Sequence, residues 1–428
     1  MATIRPLEKV HPMPMPVRSL PTVQNWDCRS CSDCCRTYSV PVTQVERMTL
    51  AKQKWSEEPG FEKIETVVKG SDGYTLAHTA EGACVFLGED KLCRIHAKFG
   101  EPAKPKACRI YPFLLVPVGG QWRVGLRFAC PTVTANLGRN IAQHSGSIDE
   151  YARLMEADAS VPLDRLPTPP LRPGLTLPWD ELLRFNAAFL DLLNEPAYAL
   201  ERRLRQIAAL ADVCKKASFD EVRGARLTEF LEVMTATLVE DVPIRTMVPK
   251  PSWVGRMLFR QLAAIYCRKD NGPDTGIAGR SKWVRIRSAW RFARGKGSIP
   301  RLHAKIPDAT FSDAEAPAGP ILPETEALLL RYYQVKLESL QFCGPTNYHR
   351  GYWEGLDALL MTFPVVLWLT RVFSKGSLDR ANAAKLALRL VDDSFGFNKL
   401  LDAGRQPWAM RALGDRGEVA KLIARYVG

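Results

Sequence analysis

The part of the chain after residue 180 repeats a hydrophobic pattern that is typical of amphipathic helices. Between Asp180 and Asn194 the apolar side chains recur at intervals of three and four residues, at Leu182, Leu183, Phe185, Phe189, Leu190 and Leu193. The same spacing predicts helices over Ala197–Lys216, Arg226–Val239, Trp253–Cys267, Glu324–Phe342, Tyr352–Phe373 and Leu378–Leu390, and two shorter ones within Leu400–Val427. The predicted fold class is mainly α, with an all-helical domain over residues 180–428.

The longest uncharged apolar stretch is Ala358–Thr370, which has 13 residues and contains Pro364. A membrane span needs about 20 residues, so the stretch predicts a buried core helix that is kinked or broken near the proline. The first residues show no basic start followed by an apolar core, as a secretory signal would. We therefore expect a soluble, cytoplasmic protein with no transmembrane segment.

Cysteine and proline divide the chain unevenly. Eight of the 11 cysteines lie between Cys28 and Cys130, and Val161–Asp180 contains six prolines, as linkers do. Four parts are predicted: an N-terminal extension (1–27), a small irregular α+β cysteine-cluster module that binds metal (28–135), a connector with a Pro-rich linker (136–179) and the helical domain (180–428).

The cysteine spacing predicts a metal site. In a C-x2-C loop both thiolates can converge on one metal, with backbone amides of the turn pointing at the sulfurs. In a reducing compartment such clusters are more often metal ligands than disulfides. The predicted metal ligands are the run Cys28, Cys31, Cys34 and Cys35 and the later Cys84, Cys93, Cys108 and Cys130.

The identity of the metal stays open between two alternatives. Zinc accepts four thiolates in a closed tetrahedron, whereas a four-iron [4Fe-4S] cluster often uses a C-x2-C-x2-C run with a distant fourth ligand. The run favours the iron–sulfur cluster, for which Cys35 or one of the later cysteines could supply the fourth ligand. Eight cysteines could also hold two metal sites. His96 could ligate zinc. Four arginines flank cysteines, and they either stabilise an anionic cluster or are solvated: Arg29, Arg36, Arg94 and Arg109.

The ordered motifs resemble the YkgJ-type cysteine-cluster family, whose members are described as zinc- or iron-chelating proteins. The matching segments are the Cys28–Cys35 run, Cys84-Val-Phe-Leu, Cys93-Arg-Ile-His96, Pro105 before Cys108-Arg-Ile-Tyr-Pro112, and Cys130-Pro131. The resemblance covers roughly residues 25–135. His96 stands where the family usually has tyrosine, so metal ligation at that corner departs from the family pattern.

The overall layout is similar to the flagellin lysine N-methylase branch of that superfamily. This resemblance implies an iron–sulfur cluster, methyl transfer to lysines of flagellin and S-adenosylmethionine as a cofactor. The chain contains no G-x-G-x-x-G, Walker A, H-E-x-x-H or C-x3-C-x2-C motif. An N-methyltransferase activity therefore rests on the resemblance, and no catalytic residue is predicted. The alternatives are a non-catalytic zinc-stabilised interaction protein and a redox or metal-relay protein.

The chain carries 59 Lys and Arg against 46 Asp and Glu, a formal charge of +13. Nine of these cations and no acidic residue lie in Arg280–Lys305, where Ser281–Arg294 predicts a basic amphipathic helix. The interpretation we favour from the sequence is a solvated helix that packs Trp283 and Trp290 onto the core. The competing functions are docking of an acidic or flagellin-like protein partner, binding of a membrane surface, and binding of nucleic acid, of which the last is the least expected.

Overall fold

The computed structural model describes residues 14–18, 24–70, 73–268 and 280–428. Most of the predicted N-terminal extension therefore lies outside the described residues. The described strands are β1 (Val17–Arg18), β2 (Asn25–Trp26), β3 (Pro41–Val42), β4 (Val67–Gly70), β5 (Gly73–Leu76), β6 (Phe113–Val118), β7 (Gln121–Leu126) and β8 (Arg139–Asn140). They form small sheets in the order β1-β7-β6, β2-β8 and β3-β5-β4.

Helices account for most of the chain, and the predicted mainly α class is confirmed. In the N-terminal part they are α1 (Asp33–Thr37), α2 (Gln44–Lys52), α3 (Arg94–Phe99), α4 (Lys106–Ile110), α5 (Pro131–Ala135) and α6 (Ser145–Ala157). The C-terminal helices are α7 (Trp179–Asn194), α8 (Leu200–Lys216), α9 (Ala225–Asp241), α10 (Trp253–Tyr266), α11 (Lys282–Arg294), α12 (Phe311–Glu315), α13 (Pro323–Glu338), α14 (Tyr352–Phe373), α15 (Arg380–Ser394), α16 (Gln406–Asp415) and α17 (Glu418–Arg425).

The central element is α14, which packs against α15 and α17. Its 22 residues have a mean hydropathy of 1.6 over their most apolar window, so by length and composition it could cross a membrane, yet that window is completely buried within the protein. The predicted core helix is thus present and longer than the apolar stretch. A break at Pro364 was the wrong expectation, because the helix runs through the proline.

Among the helix boundaries that differ from the periodicity, two have a clear local cause. Helix α13 ends at Glu338 rather than at Phe342 because Leu340 adopts a left-handed backbone conformation, with φ of 57°. Helix α15 starts at Arg380 because the side chain of Asp379 accepts a hydrogen bond from Asn382 N at 2.8 Å and caps it.

The predicted burial of Trp283 and Trp290 was wrong. Helix α11 is present, but Trp283 is 80% and Trp290 57% exposed, and the one fully buried side chain of this helix is Phe292. Phe292 occupies the opposite side of the helix, and its ring packs edge-on against Phe311 with the centroids 5.2 Å apart. The contact with Phe311 therefore turns the two tryptophans away from the core.

The described residues contain two hydrophobic cores. The smaller one surrounds Trp55, Phe61 and Phe86 and includes Cys84. The larger one joins the helices to the β6–β7 hairpin and extends to Cys130. The hairpin turns at Gly119 and Gly120, both with positive φ, as a two-residue type I′ turn requires. The last part of the cysteine-rich region therefore packs on the helical domain, while the domain boundaries themselves stay a prediction.

Candidate metal centre

The first cysteines lie on a tightly turned loop that leads into α1. Ser30 and Ser32 both adopt positive φ, 52° and 57°, between the cysteines of the run. Left-handed residues at these alternate positions fold the backbone back on itself. Cys28 and Cys31 are consequently exposed at the loop surface, whereas Cys34 and Cys35 are half-buried on α1, with their sulfurs 4.0 Å apart.

The later cysteines occupy separate turns and helix starts. Cys84 is held next to α1 because its backbone N–H donates to Cys35 O at 2.7 Å. Cys93 and Cys130 are the residues immediately before α3 and α5, and Cys108 lies on α4.

Backbone N–H groups point at sulfurs from three different segments. Asp33 N faces Cys31, Phe86 N faces Cys84, and Thr132 and Val133 N both face Cys130; each of these interactions lowers the pKa of the thiol. Burial acts in the opposite direction and prevails, so that the pKa of Cys84 rises to about 11. These amides provide the N–H···S contacts that thiolate ligands require.

The cysteines form two neighbourhoods, in each of which the charge of one thiolate would raise the pKa of the others. In the first, Cys84 interacts with Cys34 and Cys93, and Cys108 interacts with all three. In the second, Cys31 interacts with Cys28, and Cys130 interacts with Cys31. Cys31 also interacts with Cys34. The run of cysteines thus connects the two neighbourhoods.

The sulfurs do not reach the separations of a bound metal. Within the described ranges, no three His, Cys, Asp or Glu side chains converge closely enough to hold a metal ion, and all 11 cysteines are free thiols. The predicted set of eight ligands therefore stays a prediction. The remaining Cys214, Cys267 and Cys343 are buried in the helical core, away from this region.

Lys104 places a positive charge near these thiols, although no cysteine flanks it in the sequence. Lys104 lowers the pKa of both Cys34 and Cys108, against the larger effect of burial. Arg109 instead pairs with Glu101 and Glu150. Lysine at position 104 has no cysteine beside it in sequence, so adjacency along the chain could not identify it.

His96 and Arg94 both lie on α3, and among the described contacts neither side chain touches a cysteine sulfur. His96 is exposed, and the Arg94 guanidinium lies over the Phe61 ring, 5.3 Å from its centroid. The side chain of Arg94 thus packs on the smaller core instead of turning toward Cys93.

Helix α15 contacts both ends of the cysteine-rich region. Arg389 pairs with Asp33 at 2.6 Å, inside the cysteine run, and its Nε donates to Ala129 O at 3.2 Å, next to Cys130. One helical turn on, Asp392 Oδ2 accepts from Ala129 N at 2.9 Å. The helical domain therefore positions the first and last cysteine segments relative to each other.

A buried indole N–H, that of Trp26, also lies beside Cys130. Trp26 Nε1 is buried and makes no hydrogen bond to the described residues, and it is directed toward the Cys130 sulfur, where it lowers the pKa of that thiol. A buried, unsatisfied donor is costly unless an acceptor is supplied. A thiolate at Cys130 is the acceptor that this position provides.

Comparison with known proteins agrees with the motif order. Residues 27–131 match the model of the CxxCxxCC family, described as "Putative zinc- or iron-chelating domain". Residues 27–131, the CxxCxxCC domain by this likeness, are similar to that family. This match confirms the family predicted from the cysteine spacing, and it supports metal binding through cysteines without distinguishing iron from zinc.

One curated relative is the flagellar biosynthetic protein FliU of Salmonella muenchen. It is 27% identical over 113 residues, which are 25% of this chain and 67% of the relative. The likeness gives limited support to the predicted flagellin-methylase layout, since three quarters of this chain lie outside it. No solved structure matches the chain.

Proposed function

We propose that the CxxCxxCC domain binds an iron–sulfur cluster of the [4Fe-4S] type through cysteine thiolates. The observation that carries the proposal is the set of backbone N–H groups that face Cys31, Cys84 and Cys130 from three separate segments. Amides aimed at sulfur stabilise the charged form that binds metal. Lys104 adds a positive charge where a cluster with four thiolates would be anionic.

The residues fit such a group by their chemistry. Thiolates are soft ligands that iron–sulfur clusters and zinc accept, and the buried N–H of Trp26 is directed toward the Cys130 sulfur, where it favours the thiolate. Because the sulfurs stand apart in the structure, metal binding would draw the cysteine segments together and stabilise the domain. The two neighbourhoods of thiols agree with the alternative that the eight cysteines hold two sites rather than one.

Anaerobic purification followed by iron, sulfide and zinc analysis tests the proposal. We expect iron and acid-labile sulfide in equal amounts, together with a visible absorption band. Cys84→Ser should remove most of the metal, and the matched control Cys343→Ser, a cysteine buried in the helical core, should retain it. Zinc alone without a visible band would refute the cluster, and absence of any metal would refute the site.

We further propose that the protein is cytoplasmic and acts on a flagellin-like protein as a relative of lysine N-methylases. The free thiols suit a reducing compartment, and the likeness to a flagellar biosynthetic protein supports the substrate class. Incubation of the reconstituted protein with flagellin and S-adenosylmethionine should add methyl groups to lysines, as peptide mass spectrometry would detect. A fully metal-loaded protein that methylates no lysine would refute the activity and leave metal binding intact.

A further inference from the structure

Helix α11 presents an apolar stripe to solvent on its outer side. Trp283, Ile286 and Trp290 are 80%, 59% and 57% exposed, and at 3.6 residues per turn they fall within roughly 60° of the helix circumference. Phe292, the buried anchor, points to the opposite side. Large apolar side chains that cluster on a surface, rather than occurring singly, mark an interaction site.

The stripe cannot turn inward, because the end of the helix is fixed. Arg260 on α10 donates from Nε to Phe292 O and from Nη2 to Ala293 O, both at 3.0 Å. The Phe292 ring in turn packs against Phe311. These contacts set the rotation of α11 about its own axis, and with it the outward direction of both tryptophans.

Basic side chains border the stripe on both sides. Arg287 and Arg294 follow it on one side of the helix and Lys282 on the other, and the Arg294 guanidinium lies over the Trp290 ring, 5.0 Å from its centroid. Within the part of the chain that the structure describes, no carboxylate forms an ion pair with these three cations. The surface is therefore both apolar and uncompensated in charge.

We propose that α11 docks the protein on an anionic lipid surface. The outward indoles and Ile286 would enter the headgroup boundary while the flanking cations reach the lipid phosphates, which is the composition of an interfacial helix. Both tryptophans and the basic side chains that border them project from the same side of the helix. They can therefore contact a flat surface at the same time. An acidic protein segment would neutralise the cations but has no matching place for the apolar stripe.

Sedimentation of the purified full-length protein with vesicles tests this docking. We expect at least about tenfold stronger binding to phosphatidylcholine vesicles that contain phosphatidylglycerol than to pure phosphatidylcholine, and loss of most binding in high salt. The double variant W283A/W290A should weaken binding at least about tenfold because it removes most of the inserted apolar area. Arg287→Gln should weaken it about fivefold.

Matched variants separate docking from general surface effects. Trp408→Ala removes an indole that is 56% exposed on α16, and Arg165→Gln removes a cation whose side chain is 83% exposed; both should bind vesicles as the parent does. Far-UV circular dichroism checks that every variant is folded. Equal binding to neutral and anionic vesicles, or equal loss in the control variants, would overturn the proposal.

Two further outcomes would also overturn it in favour of another partner. Binding to polyglutamate without binding to vesicles would assign α11 to an acidic protein, and binding to DNA alone would assign it to nucleic acid. The surface lies on the helical domain, so the assay reads it independently of metal content.

Discussion

The buried ion pair between Lys336 and Asp392 should dominate the stability of the join between the cysteine-rich and helical parts. The side chains are 1% and 0% exposed, and Lys336 Nζ lies 2.6 Å from Asp392 Oδ1. Their attraction is about 6 kcal/mol at an effective dielectric constant of 20, and it offsets the desolvation of both charges. Asp392→Asn leaves Lys336 buried without its carboxylate and should lower the free energy of unfolding by about 3–5 kcal/mol. Lys336→Met should cost less, because Asp392 keeps the Arg127 guanidinium, with Nε 3.7 Å from Oδ2.

A double-mutant cycle in urea measures this effect. The variant that combines Lys336→Met with Asp392→Leu should lose less than the sum of the single changes, because it removes both charges of the pair while Arg127 keeps Asp393 at 3.4 Å. It should still lose about 1 kcal/mol, since the bond from Ala129 N to Asp392 Oδ2 disappears. Additive single effects would refute the reasoning.

The Lys336–Asp392 pair should also make the stability of the Asp392→Asn variant depend on pH. Burial lowers the pKa of Lys336, and Asp392 partly restores it. In Asp392→Asn the restoring charge is absent, so the folded state binds fewer protons than the unfolded state over a wider range below the normal lysine pKa. Stability then rises with pH in that range, and the deficit of the variant should shrink between about pH 7 and 9. A constant deficit would show that Lys336 stays charged.

Three further outcomes can be measured on the same protein. Arg389→Ala should lower stability by about 1–2 kcal/mol and speed metal loss to a chelator, because it removes the bonds to Asp33 and to Ala129 O. The control Arg411→Ala removes only an exposed ion pair and should cost less than about 0.5 kcal/mol. In the metal-free protein, alkylation mapped by mass spectrometry should reach the exposed Cys28 first. Cys84 should react slowly until the pH approaches its pKa of about 11.

Local periodicity predicted the helices well because each buries one face of its own sequence. Tyr352–Phe373 has the predicted bounds, and α10 differs from its prediction by one residue. Periodicity failed where a tertiary contact decided the outcome. The apolar spacing of α11 suggested that Trp283 faces the core, whereas the packing of Phe292 against Phe311 and Trp368 reverses the helix.

The candidate site shows the same division between local and tertiary information. Cysteine spacing identifies a CxxCxxCC domain because ligand geometry is encoded over a few residues. The groups that surround the thiols are not encoded in that way. Lys104 and the Arg389–Asp33 pair meet the cysteines only after folding, the latter across 356 residues of chain, so no local pattern could have indicated them.

The contacts of α15 connect the candidate metal site to the helical domain. Arg389 holds the cysteine run through Asp33 and the Cys130 segment through Ala129, and these segments carry the second neighbourhood of thiols. Drawing Cys31 and Cys130 onto one metal would change the distance that Arg389 spans. Asp392 on the same helix accepts from Ala129 N and pairs with the buried Lys336, so the Cys130 segment is joined to the larger core, and a ligand that binds only the folded protein stabilises both. Metal binding should therefore raise the unfolding midpoint of the helical domain as well as that of the cysteine-rich region, and Arg389→Ala should reduce that gain.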